Sequence, residues 1–189
     1  TGLVVITGYN NGSVSGLGLT NAGAADAFIA AYDANGAYQW ARKIGGPGYD
    51  EGTGVVIAGN RVVAYGRFLH NAAITGVSST TGLTNGRYYA YLNAYSLTGT
   101  LDWSLTGVSG NDVLSERIAA DESNVYVVGS TVGNTMSWRN SLGNSLTSTS
   151  TTSSNALFCS AVSLSGTPAW MRMINNPGSD EAECNGVAV

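Results

Sequence analysis

Charge is what this sequence has least of. Only 11% of its 189 residues are Asp, Glu, Lys or Arg, against about 25% in an average soluble protein. Lys43 is the single lysine and His70 the single histidine. The net charge is −4 and no basic run occurs, which argues against nucleic acid as a partner, because neutralising phosphates needs clustered Lys and Arg. No apolar stretch approaches the ~18 residues of a membrane-spanning helix, so no membrane insertion is expected. With one histidine, and the cysteines far off in the chain, a zinc site lacks ligands. No Asp-x-Asp-x-Asp-Gly loop is present for calcium, although acids crowd at Asp180, Glu181 and Glu183 and at Asp50 with Glu51. No Gly-x-Ser-x-Gly elbow supports a serine nucleophile. "GGPG" at 45–48 is followed by neither Lys-Ser/Thr nor a helix, so it is not a phosphate loop. These gaps leave no cofactor, no metal and no catalytic residue to assign, and the chain does not read as an enzyme.

What remains is a surface of Ser, Thr, Asn and Gly around an apolar fraction of 43%, a composition suited to a secreted or cell-surface β protein. The length suffices for one domain, 1–189, with a real core. The first residue is Thr, which suggests a processed, excised or trimmed chain. Cys159 and Cys184 could pair in an oxidising compartment, worth roughly 3 kcal/mol, or remain two buried thiols. Asn11-Gly12-Ser13 is a sequon.

The chain repeats. "DAFIAAYDANGAYQWARKIGGPGYDEGTGVVIAG", "YYAYLNAYSLTGTLDWSLTGVSGNDVLSERIAAD" and "NALFCSAVSLSGTPAWMRMINNPGSDEAECNGVAV" align. In each, a Gly precedes a Trp by four residues: Gly36 and Trp40, Gly99 and Trp103, Gly166 and Trp170. Each then reaches a Gly-x-Asp at Asp50, Asp112 and Asp180. A further alternating run ends in Gly66 and Gly129, and the opening "LVVITG" to Gly8 is the same element. The Asp spacings are 62 and 68 residues, and 59 if the end is joined to the start. Joining Val189 to Thr1 keeps register, so three repeats are expected, circularly permuted so that the break falls inside one. Period-two alternation, β-branched and aromatic enrichment and Gly/Asn/Asp/Ser punctuation predict four short strands per repeat. In the middle unit these are "GTGVVIAG", "RVVAYGRF", "YYAYLNAYS" and "LDWSLTGV". A four-stranded unit repeated radially predicts all-β propeller blades. The variable stretch between second and third strands is longest in the third repeat and is expected as a loop on the blade's outer side or on one face.

At these residues the sequence resembles the bacterial SBBP family of β-propeller repeats. "DAFIAAYDANGAYQWARKIGGPGYDEGTGVVIAGNRVVAYGRF" has that family's cadence of Asp-Ala-Phe, Asp-x-x-Gly, Trp, Gly-Gly-x-Gly-x-Asp and Tyr-x-Gly. The later repeats drift: Asp33 gives way to Ser96 and Ser163. The Ala-x-Asp…Gly-x-x-x-Trp portion also looks like the tryptophan-docking motif of quinoprotein dehydrogenase propellers. Those enzymes' cofactor residues have no counterparts here, so only a blade-locking role carries over. The SBBP resemblance implies an extracellular or envelope location and a scaffold or interaction role.

Trp40, Trp103 and Trp170 are expected to pack between adjacent blades, with sugar stacking as the alternative. Asp50, Asp112 and Asp180 are expected to cap turns through side-chain oxygens. Trp138 lies outside the repeat pattern beside Arg139, and the pair reads as a candidate exposed recognition spot, or as a cover for a blade edge. His70 reads as a surface residue. Three blades cannot close a ring, and the first lacks its innermost strand. Residues 182–189, including Gly186, Val187, Ala188 and Val189, are therefore expected to pair with Leu3, Val4, Val5 and Ile6 of another copy. Such a head-to-tail contact closes as a six-bladed dimer or continues as a filament; the alternative is that the chain is a truncated piece of a longer propeller. A structural or adhesive module follows. A lectin-like propeller binding surface glycans is the second reading, with Tyr88, Tyr89, Tyr91 and Trp138 as stacking faces.

Overall fold

The computed structural model describes residues 2–70, 74–77, 79–140, 145–149, 155–175 and 182–189. The fold is all-β with antiparallel sheets, and among the described residues its one helical turn is a 3-10 turn at Ser15–Leu17. The first sheet holds β1 (Val4–Asn10), β2 (Asp26–Tyr32) and β3 (Tyr38–Ile44), in that order. The second is a meander of β4 (Asp50–Ala58), β5 (Arg61–His70), β6 (Arg87–Ser96) and β7 (Leu101–Ser109). The third begins with β8 (Val113–Ala120) and β9 (Asn124–Thr131). After an inserted hairpin, β10 (Thr135–Arg139) and β11 (Ser145–Thr149), it finishes with β12 (Ala156–Ser163) and β13 (Pro168–Asn175).

The second and third units thus have the four strands their alternation predicts. The first has three among the described residues. The insertion departs from expectation. Instead of a loop, it forms a hairpin that pairs β10 with β7, and so extends the preceding sheet to six strands. This covers an edge that would otherwise present unpaired backbone groups.

Side-chain alternation distributes the core on both faces of the middle sheet. Val62, Ala64, Phe68, Tyr89 and Tyr91 pack toward Ala27, Ile29, Trp40 and Ile44 of the first sheet. Val63, Tyr65, Ala90, Leu92 and Leu105 pack toward Val125, Val127, Phe158 and Met171 of the third. A sheet covered on both faces needs apolar residues at consecutive positions, which is why "RVVAYG" and "YYAYLNAY" lack clean alternation. Among the described residues, the flanking sheets bury their inner faces more completely than their outer ones.

Candidate functional site

The recurrent Gly-x-x-x-Trp element joins one sheet to the next. Each Gly ends a tight turn: Gly36, Gly99 and Gly166 have φ of 80°, 81° and 83° and donate to the carbonyls of Asp33, Ser96 and Ser163. The three turns therefore share one backbone form. Trp40 Nε1 donates to the Leu97 carbonyl at 2.9 Å, and Trp103 Nε1 donates to the Leu164 carbonyl at 2.9 Å. Each indole lies flat on the next sheet's turn. A Cβ added at Gly99 would come within 2.6 Å of the Trp40 ring, and one at Gly166 within 2.7 Å of Trp103. Glycine is thus required twice over, for its positive φ and for the ring's approach.

Among the described residues the third Trp and the first turn have no such counterpart. Trp170 is 39% exposed, whereas Trp40 is 6% exposed. Nothing lies within 4 Å of the Cβ position at Gly36 among the described residues. Other repeat-equivalent positions behave alike. Val62 and Ala64 are fully buried, but their equivalents Val4 and Ile6 on β1 are 54% and 42% exposed. Ile44 is fully buried and its equivalent Ile174 is 53% exposed. Beside Trp170, Tyr126 stacks at 6.3 Å, and Leu157 and Cys159 are half-buried. Both ends of the sheet stack therefore carry residues that are core elsewhere in the same chain. Leu19 packs on Ala30 and Ala41, with Val14 and Leu17 alongside, on part of the first sheet's outer face. Ile74, Val77 and Leu83 fill the equivalent place between the first and second sheets.

The backbone is open at the same place. Among the described residues β1 pairs only with β2, leaving its other edge without a strand. Residues 182–189 form no strand within the chain, and Gly186, Ala188 and Val189 are exposed. Leu3 and Val5 are half-buried against the second sheet. Ala182 and Glu183 help to line a cleft of about 140 Å³ with Leu114, Ser130 and Thr131.

At the Gly-x-Asp corner, Asp50 is fully buried and accepts from the Gly46 N–H at 2.8 Å and the Leu69 N–H at 2.9 Å. Asp112 accepts from the Tyr88 N–H at 2.8 Å. Both carboxylates therefore tie a loop to a neighbouring strand, and that of Asp50 also holds its local turn. Asp180 lies outside the described residues. Burial, partly opposed by the Gly46 and Leu69 N–H groups, pushes the Asp50 carboxyl up to about 6, with the Asp26 charge adding to the rise. Lys43 lies 3.6 Å from Asp26.

Several sequence expectations are corrected. Trp138 is fully buried, not an exposed recognition spot: its Nε1 donates to Ser160 Oγ at 2.9 Å and its ring meets Tyr65 edge-on at 6.4 Å. The side chain fills the space left by Gly107, its cross-strand partner. Only Arg139 of that pair is exposed. Tyr89 and Tyr91 are also buried and offer no face to a sugar. His70 is 8% exposed and packs edge-on to Tyr89. Cys159 and Cys184 are not joined by a disulfide. Burial raises the Cys159 thiol.

A surface strip escaped the sequence reading because its members lie far apart in the chain. Tyr9 meets Tyr49 at 5.3 Å, Tyr49 donates to Glu51 at 3.4 Å, Glu51 pairs with Arg67 at 2.8 Å, and Arg67 sits 4.8 Å over Tyr88. The Tyr49 hydroxyl is pushed up to about 12, mainly by burial. Among the described residues no cluster of three His, Cys, Asp or Glu side chains could hold a metal, and no helix is long and apolar enough to cross a membrane.

Compared with protein-family models and with curated proteins, the chain matches none.

Proposed function

We propose that this chain is an extracellular or cell-surface structural module of propeller-blade repeats that joins copies of itself head to tail. The observation that carries this reading is the unequal strand count. Two units are four-stranded meanders, whereas the first has an open inner edge on β1. Residues 182–189 have the length and pattern of the absent strand and form no strand among the described residues. The existing pairs give the register. Both β4 and β8 carry a bulge against their neighbours, between Gly52 and Gly54 and between Ser115 and Arg117. Carried over to the tail, the bulge falls at Cys184, with Val187 opposite Val5, Ala188 opposite Val4 and Gly186 opposite Ile6 of a second copy. Main-chain hydrogen bonds then supply affinity and alternate side chains supply register. The resemblance to SBBP repeats supports the location and the scaffold role. Deleting residues 182–189 tests the reading: the shortened chain should remain folded by circular dichroism yet sediment as a monomer. Assembly undiminished by the deletion would overturn it.

The Tyr9–Tyr49–Glu51–Arg67–Tyr88 strip favours a second reading, a lectin-like surface, since aromatic faces beside a carboxylate and a guanidinium suit saccharide hydroxyls and ring faces. A glycan array probed with the assembled protein tests it, and binding that survives Tyr9→Ala with Tyr88→Ala would place any saccharide elsewhere.

A further inference from the structure

The tail strand accounts for one edge of one strand and leaves the two exposed sheet faces without a role. We infer that Trp170 of one copy docks on the Asp33–Gly36 turn of a second copy, its indole N–H donating to the Ala34 carbonyl. The outer face of the third sheet thereby stacks on the outer face of the first. This deepens the head-to-tail reading and rests on it, but it adds an interface of side chains to one of backbone.

The argument is continuity with an interface the chain already makes twice. The contact of the first sheet with the second, and of the second with the third, uses one device: an indole laid on a glycine turn and bonded to the carbonyl two residues before the glycine. Each contact needs a Trp half and a turn half. The third sheet has an exposed Trp half, and the first has a turn half of the same conformation with open space above Gly36. The neighbouring side chains agree. Ile174 and Tyr126 stand where Ile44 and Val63 are buried within the chain, and Val4 and Ile6 stand where Val62 and Ala64 are buried. Arg172 follows Trp170 by two residues as Arg42 follows Trp40, where the guanidinium sits 5.7 Å over the indole. The two surfaces lie at opposite ends of the stack, so one copy cannot satisfy both. A second copy of this chain carries the matching half for each surface and is the occupant of this proposal, through a heterologous contact.

Two variants separate the halves. Trp170→Ala removes the ring. Gly36→Asn keeps the turn, because Asn tolerates positive φ, but puts a Cβ where the ring must lie. In sedimentation equilibrium each variant should self-associate about tenfold or more weakly, the loss expected for a buried aromatic anchor, with unchanged circular dichroism. Mixed one to one, they should form a heterodimer, because the intact Trp170 of the second variant meets the intact turn of the first. A blue shift of Trp emission with rising wild-type concentration, absent in Trp170→Ala, reports the docking directly. If both variants associate like wild type while deletion of 182–189 dissolves the assembly, the Trp contact is wrong and strand exchange stands. If the variants weaken assembly and the deletion does not, the reverse holds. A wild-type chain that stays monomeric overturns both.

Discussion

At the residue scale, the repeat makes each Trp a comparison with its equivalents. Trp40 and Trp103 are held by both ring contact and a hydrogen bond, so their loss acts on the fold of a single chain. Trp40→Ala should cost about 3–5 kcal/mol, the range for a buried aromatic truncated to Ala, measured by urea denaturation. Trp170→Ala should leave single-chain stability nearly unchanged under the same conditions. Asp50 gives a pH signature. Its carboxyl is held at about 6 in the fold against about 3.9 in an unfolded chain. The folded state therefore binds the extra proton. Stability from this group is fully present below pH 4 and is lost as pH rises through about 6. Replacing Asp50 by Asn should flatten the slope of stability between pH 4 and 6, even as it costs about 1–3 kcal/mol by leaving an N–H without its acceptor. A slope unchanged by the substitution would remove Asp50 as its source. Trp138 and His70 show where single-residue reading fails. Trp138 lies outside the repeat pattern and His70 in a polar stretch between repeat strands, but burial is decided across strands. Trp138 is buried because Gly107 faces it and Ser160 takes its N–H, and neither is near it in the chain.

At the element scale, most strands were legible. Alternation and turn glycines mark them, and the three aligned Gly-x-x-x-Trp turns have matching φ. The insertion was not legible as a hairpin. Its Ser and Thr residues hide the alternation of Met136 with Trp138, and its pairing partner is β7 of the preceding unit. Strand pairing between units leaves no local signature. The tail is the element on which the proposed assembly depends. With Cys159 and Cys184 replaced by Ser, chains carrying Val5→Cys mixed with chains carrying Val187→Cys should form a disulfide-linked dimer, since directly opposed strand positions bring Cβ atoms within bridging distance. A shift of Val187→Cys to Asn185→Cys should lose the cross-link. Cross-linking within one chain carrying both cysteines, at high dilution, would contradict exchange between copies.

At the scale of the whole molecule, the design is a stack whose internal interfaces are repeated at its ends. The sheets bury their shared faces inside the chain, while the outermost faces keep residues of the same kind exposed. Such an arrangement stays soluble alone only at a cost in exposed apolar surface, and the proposed association would relieve it. The expected particle is a closed pair with six units or an open chain of copies. Which sheet faces remain exposed is legible in the sequence once the repeat phase is known, because Val4, Ile6, Trp170 and Ile174 occupy repeat positions that are buried elsewhere. The central claim is tested most directly by the mass of the unmodified chain in dilute solution, taken by sedimentation equilibrium over a range of concentrations. The account predicts twice the 19.4 kDa of one chain, or a series of its multiples growing with concentration. A mass of 19.4 kDa at every concentration would contradict it.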